Sequence, residues 1–193
     1  MDSPYVLSNR WAITVMWIGV ASYFTAVLTY ISKFLLRQIT VTLDNVVIYS
    51  ILILGFSILF VATFKKALKV HKDRKDMETP DFFLSRTVRM GWACLVIHFL
   101  SIYAFSHKTY LYYPFAILGY ALLSISQYIG VFLLVIFYLF SITRTILSTM
   151  NAFYGIQKIL SMLYMGAYAY IFAVRYIREQ KKLKDENKKT KTT

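Results

Sequence analysis

The chain has 193 residues, of which 58% are hydrophobic and only 16% are charged, and its formal net charge is +13. These proportions exclude an ordinary soluble domain, in which about a quarter of the residues are charged and the apolar share is lower. Cys94 is the only cysteine, so an intrachain disulfide is excluded, and the sequence contains no N-glycosylation sequon.

Five long apolar stretches fill most of the sequence. A helix needs about 20 residues to cross a hydrocarbon core of ~30 Å, and four or five such crossings fit these stretches. Runs such as 48–64 and 129–140 show no polar face of the kind that core helices of a soluble domain carry. The sequence therefore predicts one membrane domain over residues 1–193, an all-α polytopic bundle of four to five transmembrane helices. The stretches are residues 11–32, 46–64, 90–105, 112–142 and 152–174.

The basic residues lie in two clusters, a loop over residues 65–89 and a tail over residues 175–193. Cytoplasmic segments of membrane proteins are enriched in Lys and Arg, so the loop is predicted to be cytoplasmic. Three apolar stretches separate the clusters, and an odd number of plain crossings would put the tail on the opposite side. Either one stretch is not a simple crossing, or one cluster departs from the rule.

The stretch over residues 112–142 is where this conflict is predicted to resolve. As a single helix it would measure roughly 46 Å, which is too long for one upright span and too short for two. It could be tilted, extend past the bilayer, or break near residues 124–127 into a re-entrant hairpin, which would make both clusters cytoplasmic. Alternatively, residues 152–174, which include Gln157 and Lys158, lie in the membrane interface. A cytoplasmic tail is the favoured prediction.

The tail ends in the residues Lys189-Thr-Lys191-Thr-Thr. Lysines at the third and fifth positions from the carboxyl terminus resemble the dilysine signal that returns membrane proteins to the endoplasmic reticulum. Lys189 and Lys191 are therefore a candidate retrieval signal, which works only from the cytoplasm. The endoplasmic reticulum is the predicted location, with the mitochondrial inner membrane and the plasma membrane as alternatives.

Titratable groups are rare within the apolar stretches. No acidic residue lies in their cores, so proton-relay and carboxylate–metal chemistry lack their residues. His98 lies mid-span, where an isolated histidine is typical of a hydrogen bond between helices. No catalytic residue, metal ligand or cofactor-binding residue is predicted. The candidate intramembrane polar contacts are His98, Ser124, Ser126 and Gln127.

Tyr164, Tyr168 and Phe172 recur every four residues in the last apolar stretch and share one helical face. We call these three residues the aromatic stripe. It is predicted to pack against another helix or to face lipid, with the lining of a lipid or sterol groove as an alternative.

The run Phe83-Leu-Ser-Arg-Thr87, followed by Trp92 and by residues 107–110, resembles the small four-span scaffold of the ergosterol-synthesis complex in the endoplasmic reticulum. The resemblance covers about residues 46–178 and implies a scaffold rather than an enzyme. The chain departs from that family in its additional first span. It also has Ser126-Gln127 where the third span of the family carries an acidic Ser-Glu pair.

The sequence favours a non-enzymatic polytopic protein that acts as an assembly, scaffold or trafficking subunit of an endoplasmic-reticulum membrane complex. The alternatives are a channel or a lipid- or sterol-binding carrier formed by oligomerised helices, and an accessory subunit of a mitochondrial membrane complex. An enzyme using His98 or His107 is the least favoured. The expected partners are membrane lipids, with anionic headgroups at the basic segments, and other membrane-protein subunits or further copies of the chain. Nucleic acid is not expected, because no aromatic platform accompanies the basic residues.

Overall fold

A computed structural model describes residues 6–7, 9–36, 42–73, 77–78, 82–105, 111–147 and 152–190. This part of the chain consists of helices, short turns and one antiparallel pair of two-residue strands, β1 (Val6–Leu7) and β2 (Met77–Glu78). The predicted all-α membrane bundle is confirmed. The helices are α1 (Asn9–Leu35), α2 (Leu43–Asp73), α3 (Arg86–Phe105), α4 (Tyr113–Ser124), α5 (Gly130–Leu147) and α6 (Ala152–Thr190).

Four of the described helices, α1, α2, α3 and α6, are long and apolar enough to cross a membrane. Helices α4 and α5 are shorter and also apolar. The chain is therefore a polytopic integral membrane protein. The candidate spans are Trp11–Leu35, Leu43–Lys72, Arg86–Ala104 and Gly155–Lys181.

Two helices are longer than the apolar stretches from which they were predicted. Helix α2 continues to Asp73, so the first part of the predicted basic loop is helical. Helix α6 continues to Thr190 through most of the predicted basic tail. The segments after the apolar parts are rich in lysine, a good helix former, and the helices continue through them.

The six described helices form a closed ring in chain order, in which each helix packs against the next and α6 packs back against α1. Neighbouring helices run antiparallel. Near the start of α1, Trp17 contacts Phe64 in the second half of α2, whereas near the end of α1, Phe34 contacts Tyr49 at the beginning of α2. The same alternation joins the other neighbours, including α1 and α6.

The antiparallel order gives the ring two distinct ends. We call the end where α1 begins, α2 ends, α3 begins and α6 ends the basic end, and the opposite end, where α1 ends and α6 begins, the cavity end. Both basic clusters therefore lie at the basic end of the bundle, as the hairpin alternative predicted. The basic residues of the two clusters whose side chains the structure describes are Lys65, Lys66, Lys69, Lys72, Arg86, Arg89, Arg175, Arg178 and Lys181.

The stretch over residues 112–142 is indeed broken, and its two helices, α4 and α5, form a hairpin. Ser126 lies in the turn with a φ of 69°, a left-handed conformation that reverses the chain direction. Gly130 comes so close to the carbonyl oxygen of Gly119 that a side chain at position 130 would collide with it. Because α4 and α5 are two antiparallel helices rather than one, four helices instead of three separate the two basic clusters. Both clusters therefore lie at the same end of the bundle.

Aromatic side chains fill the centre of the ring towards the basic end. Phe83, which precedes α3, is fully buried, and its ring centroid lies 4.1 Å from that of Tyr168. Trp92 and Tyr164 are also buried and lie with their centroids 5.4 Å and 6.1 Å from that of Phe83. We call Phe83, Trp92, Tyr164 and Tyr168 the aromatic plug. It closes the ring on the side of the basic clusters.

Candidate ligand-binding cavity

A cavity of about 270 Å³ lies inside the ring, between the aromatic plug and the cavity end. Residues from all six helices line it. Trp92 of the plug stacks on Tyr120, which lines the cavity, so the plug forms the inner boundary of this space. The volume is close to the lower limit of roughly 300 Å³ for small-molecule pockets.

The inner part of the cavity is aromatic. Phe99 of α3 packs with its ring centroid 5.5 Å from that of Phe137 and 5.6 Å from that of Tyr120. The Tyr120 and Tyr138 hydroxyls form a buried hydrogen bond of 2.7 Å between α4 and α5. Phe56 of α2 completes this aromatic wall. The inner part therefore offers an apolar surface whose polar atoms are largely paired.

The outer part of the cavity carries three basic side chains. Lys33 and Arg144 lie in the last turns of α1 and α5, and Lys158 lies near the start of α6. These helix ends meet at the cavity end, which brings together residues far apart in the sequence. The described lining residues include no Asp or Glu, so their formal charge is +3. A positive potential is stronger in such a low-dielectric space than at an aqueous surface.

Lys158 is the most buried of the three cations, with only 7% of the residue exposed. Its ammonium donates hydrogen bonds to the Thr145 hydroxyl over 2.6 Å and to the Ser141 carbonyl oxygen over 3.1 Å. Lys33 and Arg144 are close enough to interact electrostatically with Lys158. The three charges thus belong to one site rather than to three separate helix ends.

Further hydrogen bonds fix the walls of the cavity. Arg144 donates from Nη1 to the Tyr112 hydroxyl over 3.2 Å. Gln157 donates to the Ser161 hydroxyl over 3.0 Å, and that hydroxyl lies 2.8 Å from the Ser22 hydroxyl of α1. These bonds join α4 to α5 and α6 to α1 beside the basic side chains. The positions of the cations are therefore set by the packing of the ring.

His98 is the one member of the predicted polar set that lines the cavity. Its Nδ1 donates to the carbonyl oxygen of Ile48 over 2.9 Å, because a carbonyl can only accept. The other predicted members lie at the hairpin turn near the basic end. Ser124 donates to a carbonyl within its own helix, and the Gln127 side chain is exposed.

Ser126 has a different role from the one expected of an intramembrane contact. Its hydroxyl accepts a hydrogen bond of 2.7 Å from Nη1 of Arg89, which joins the hairpin turn to the start of α3. Ser124 and Ser126 thus bond to different partners, and the Gln127 side chain is exposed.

The aromatic stripe is buried. Tyr164 and Tyr168 belong to the plug, and Phe172 stacks on Tyr128 with ring centroids 5.1 Å apart. None of the three faces lipid. The candidate retrieval signal falls at the end of α6, where the side chain of Lys189 and the whole of Lys191 lie outside the described residues.

The three cations of the cavity were not recognised as a site in the sequence. Lys33 and Arg144 resemble the ordinary basic flanks of apolar stretches, and they belong to different helices. Lys158 gave the only local signal, because it interrupts an apolar stretch beside Gln157. That signal raised the alternative of an interfacial segment, whereas both residues lie inside the ring on a helix long enough to span the membrane.

The lining offers positive charge, hydroxyl groups and aromatic surface, the groups needed to bind an anion with an attached apolar part. Among the residues that the structure describes, no group of three His, Cys, Asp or Glu side chains is placed to hold a metal ion. Comparisons with protein-family models, with curated proteins and with solved structures found no match to this chain. The resemblance to the ergosterol-complex scaffold thus gains no support from them.

Proposed function

We propose that this protein binds a small amphiphilic molecule, a lipid or a lipid-like compound, inside its helical ring. The observation that carries the proposal is a cavity that joins an aromatic inner part to a basic outer part. The proposal corresponds to the lipid-binding alternative of the sequence analysis, located within one chain. The sequence analysis favoured a scaffold function because it found no recognisable binding site. The cavity is a candidate for such a site.

The aromatic plug favours a binding cavity over a conducting path through the ring of a single chain. A conducting path would have to continue from the cavity to the basic end. Phe83 and Trp92 occupy the centre of the ring there, and each has 0% of its residue area exposed. Displacing such large buried rings is costly, so the ring is better suited to hold a ligand than to conduct.

The test compares two tryptophan substitutions on α3. Ile102→Trp places a large ring in the cavity, whereas Ile97→Trp, the matched control, adds the same ring at a position that faces outward with 51% exposure. Each protein is purified in mild detergent, and bound molecules are identified by mass spectrometry. We expect one amphiphile to be enriched with the wild type and with Ile97→Trp and to be lost with Ile102→Trp. Equal lipid content in all three proteins would contradict the proposal.

We also propose that the protein resides in the endoplasmic reticulum with its basic end in the cytoplasm. Both basic clusters lie at the same end of the bundle, and cytoplasmic segments of membrane proteins are enriched in Lys and Arg. This supports the proposed orientation. Lys189→Ala combined with Lys191→Ala is expected to move the protein to later compartments, as seen by microscopy. Lys181→Ala combined with Lys182→Ala is the matched control. If the location of the Lys189 and Lys191 variant is unchanged, these two residues are not a retrieval signal.

A further inference from the structure

We infer that the ligand of the cavity is a single-chain amphiphile with an oxyanion head group, a phosphate or a carboxylate. Lys33, Arg144 and Lys158 hold the head group, and the first part of the apolar chain lies against Phe99 and Phe137. The inference rests on the proposed function and names the ligand class of the same cavity.

The first argument is the charge of the lining. Three cations from three helices meet there, and no acidic side chain is found among the lining residues that the structure describes. Gathering like charges in a poorly solvated space is unfavourable, and an oxyanion among them is the group that relieves this repulsion. Arg144 and the two lysines also match the chemistry of phosphate and carboxylate recognition, in which charge-assisted hydrogen bonds are the strongest contacts.

The second argument concerns Lys158. Lys33 and Arg144 lie at the ends of α1 and α5, where basic residues are favoured by the helix dipole. The helix dipole therefore accounts for the positions of Lys33 and Arg144 without a ligand. Lys158 lies in the second turn of α6, where no helix C-terminus favours a cation, and it is almost completely buried. Its position is the one that an anionic ligand explains.

The third argument is orientation. The three cations lie towards the ends of their helices at the cavity end, and the aromatic residues lie further towards the centre of the bundle. An amphiphile of the leaflet at the cavity end has the same order, with its head group outside and its chain inside. The ligand can therefore occupy the cavity without reversing its orientation in the membrane.

The size of the cavity limits the ligand. About 270 Å³ accommodates a head group and a short apolar segment. A lipid with two chains would require the ring to open between helices over a much larger area. The volume therefore favours a single-chain compound whose head group and first apolar segment occupy the cavity.

The experiment uses the full-length protein, purified in a neutral detergent and freed of bound lipid. Four probes are compared by native mass spectrometry and by thermal stabilisation: lysophosphatidic acid, a fatty acid, a monoacylglycerol of the same chain length, and inorganic phosphate. We expect at least one of the two anionic amphiphiles to bind about tenfold more tightly than the monoacylglycerol, as the loss of a charged hydrogen bond implies. Inorganic phosphate is expected to stabilise the protein far less.

Variants then assign the effect to the cations. Lys158→Gln and Lys33→Gln are each expected to weaken binding of the anionic amphiphile about tenfold while leaving binding of the monoacylglycerol unchanged. Lys33 is only partly buried at the cavity end, so its variant keeps the test informative if Lys158→Gln folds poorly. Lys69→Gln, at an exposed position near the basic end, is the matched control and is expected to bind as the wild type does.

The possible outcomes separate this inference from the proposed function. The monoacylglycerol and the anionic probes could bind equally tightly, and Lys33→Gln could leave this binding unchanged. That result would overturn the inference of an anionic ligand and leave the proposed function intact. Binding of inorganic phosphate as tight as that of lysophosphatidic acid would show a site for a free anion and overturn the amphiphile. If no amphiphile binds, the proposed function fails as well.

Discussion

The Lys158 ammonium on α6 donates a hydrogen bond of 2.6 Å to the Thr145 hydroxyl on α5, at the edge of the cavity. The Thr145 hydroxyl in turn donates to the Ser141 carbonyl oxygen over 2.8 Å. This buried cation therefore joins the last two helices of the ring and also contributes to the charge of the cavity. In the proposed function, this one side chain contributes to both helix packing and ligand binding.

Replacement of Lys158 by a neutral residue is expected to stabilise the ligand-free protein. In Lys158→Met the side chain keeps a similar length, and the Thr145 hydroxyl still donates to Ser141, so neither group is left unpaired. Removing a buried charge is often neutral or stabilising, and a gain of about 1 kcal/mol raises Tm by roughly 2–4 °C in a protein of this size. Thermal unfolding in neutral detergent measures it, with Lys69→Met as the control. A lower Tm for Lys158→Met would mean that the lysine is needed for packing.

The two basic clusters are expected to face the same side of the membrane. Cys94→Ala provides a cysteine-free background, in which Lys69→Cys, Arg178→Cys and Leu111→Cys are tested one at a time. Lys69 and Arg178 are exposed near the basic end, and Leu111 precedes α4 at the cavity end with 96% exposure. A membrane-impermeant maleimide should label the first two from one side and the third from the other. Labelling of Lys69→Cys and Arg178→Cys from opposite sides would contradict the helical ring.

The hairpin was one of the alternatives that the sequence left open. The length of residues 112–142 argued against one upright span, but it did not decide between a tilted helix, a helix extending past the bilayer and a break near residues 124–127. The end of α6 was less predictable, because basic residues of high helix propensity follow its apolar part and hydropathy does not detect a helix that continues beyond the apolar stretch.

The close approach of α4 and α5 is expected to make position 130 intolerant of a side chain. In Gly130→Ala the new methyl group would meet the carbonyl oxygen of Gly119, a backbone atom that cannot rotate away. Overpacking of this kind costs about 1–3 kcal/mol. The control is Gly166→Ala on α6, where nothing lies within 4 Å of the added carbon. We expect Tm to fall only for Gly130→Ala, and equal Tm values would indicate that the hairpin packs less closely.

The aromatic plug is expected to be a major source of stability. Phe83→Ala removes a fully buried ring that contacts three other aromatic side chains of the plug, and such deletions cost about 3–5 kcal/mol. Phe140→Ala removes the same ring from a position that is 51% exposed, so it should cost much less. Thermal unfolding of the two variants should differ by several degrees. Similar stability would show that Phe83 is not held in the centre of the ring.

The cavity could not be predicted from the sequence, for a physical reason. Lys33, Arg144 and Lys158 lie on α1, α5 and α6, and each taken alone resembles a flanking or interrupting charge. Only the closure of the ring, with α6 against α1, brings them together. The aromatic stripe, by contrast, was recognisable from its spacing, but the sequence could not decide between lipid and protein as its neighbour because both are apolar.

The most direct test of a ligand-binding ring is an experimental density map of the protein purified in mild detergent, at a resolution that shows side chains. The account predicts non-protein density inside the ring, with its polar end among Lys33, Arg144 and Lys158 and its other end against Phe99 and Phe137. A cavity that contains only water, or one filled by the protein's own side chains, would contradict it.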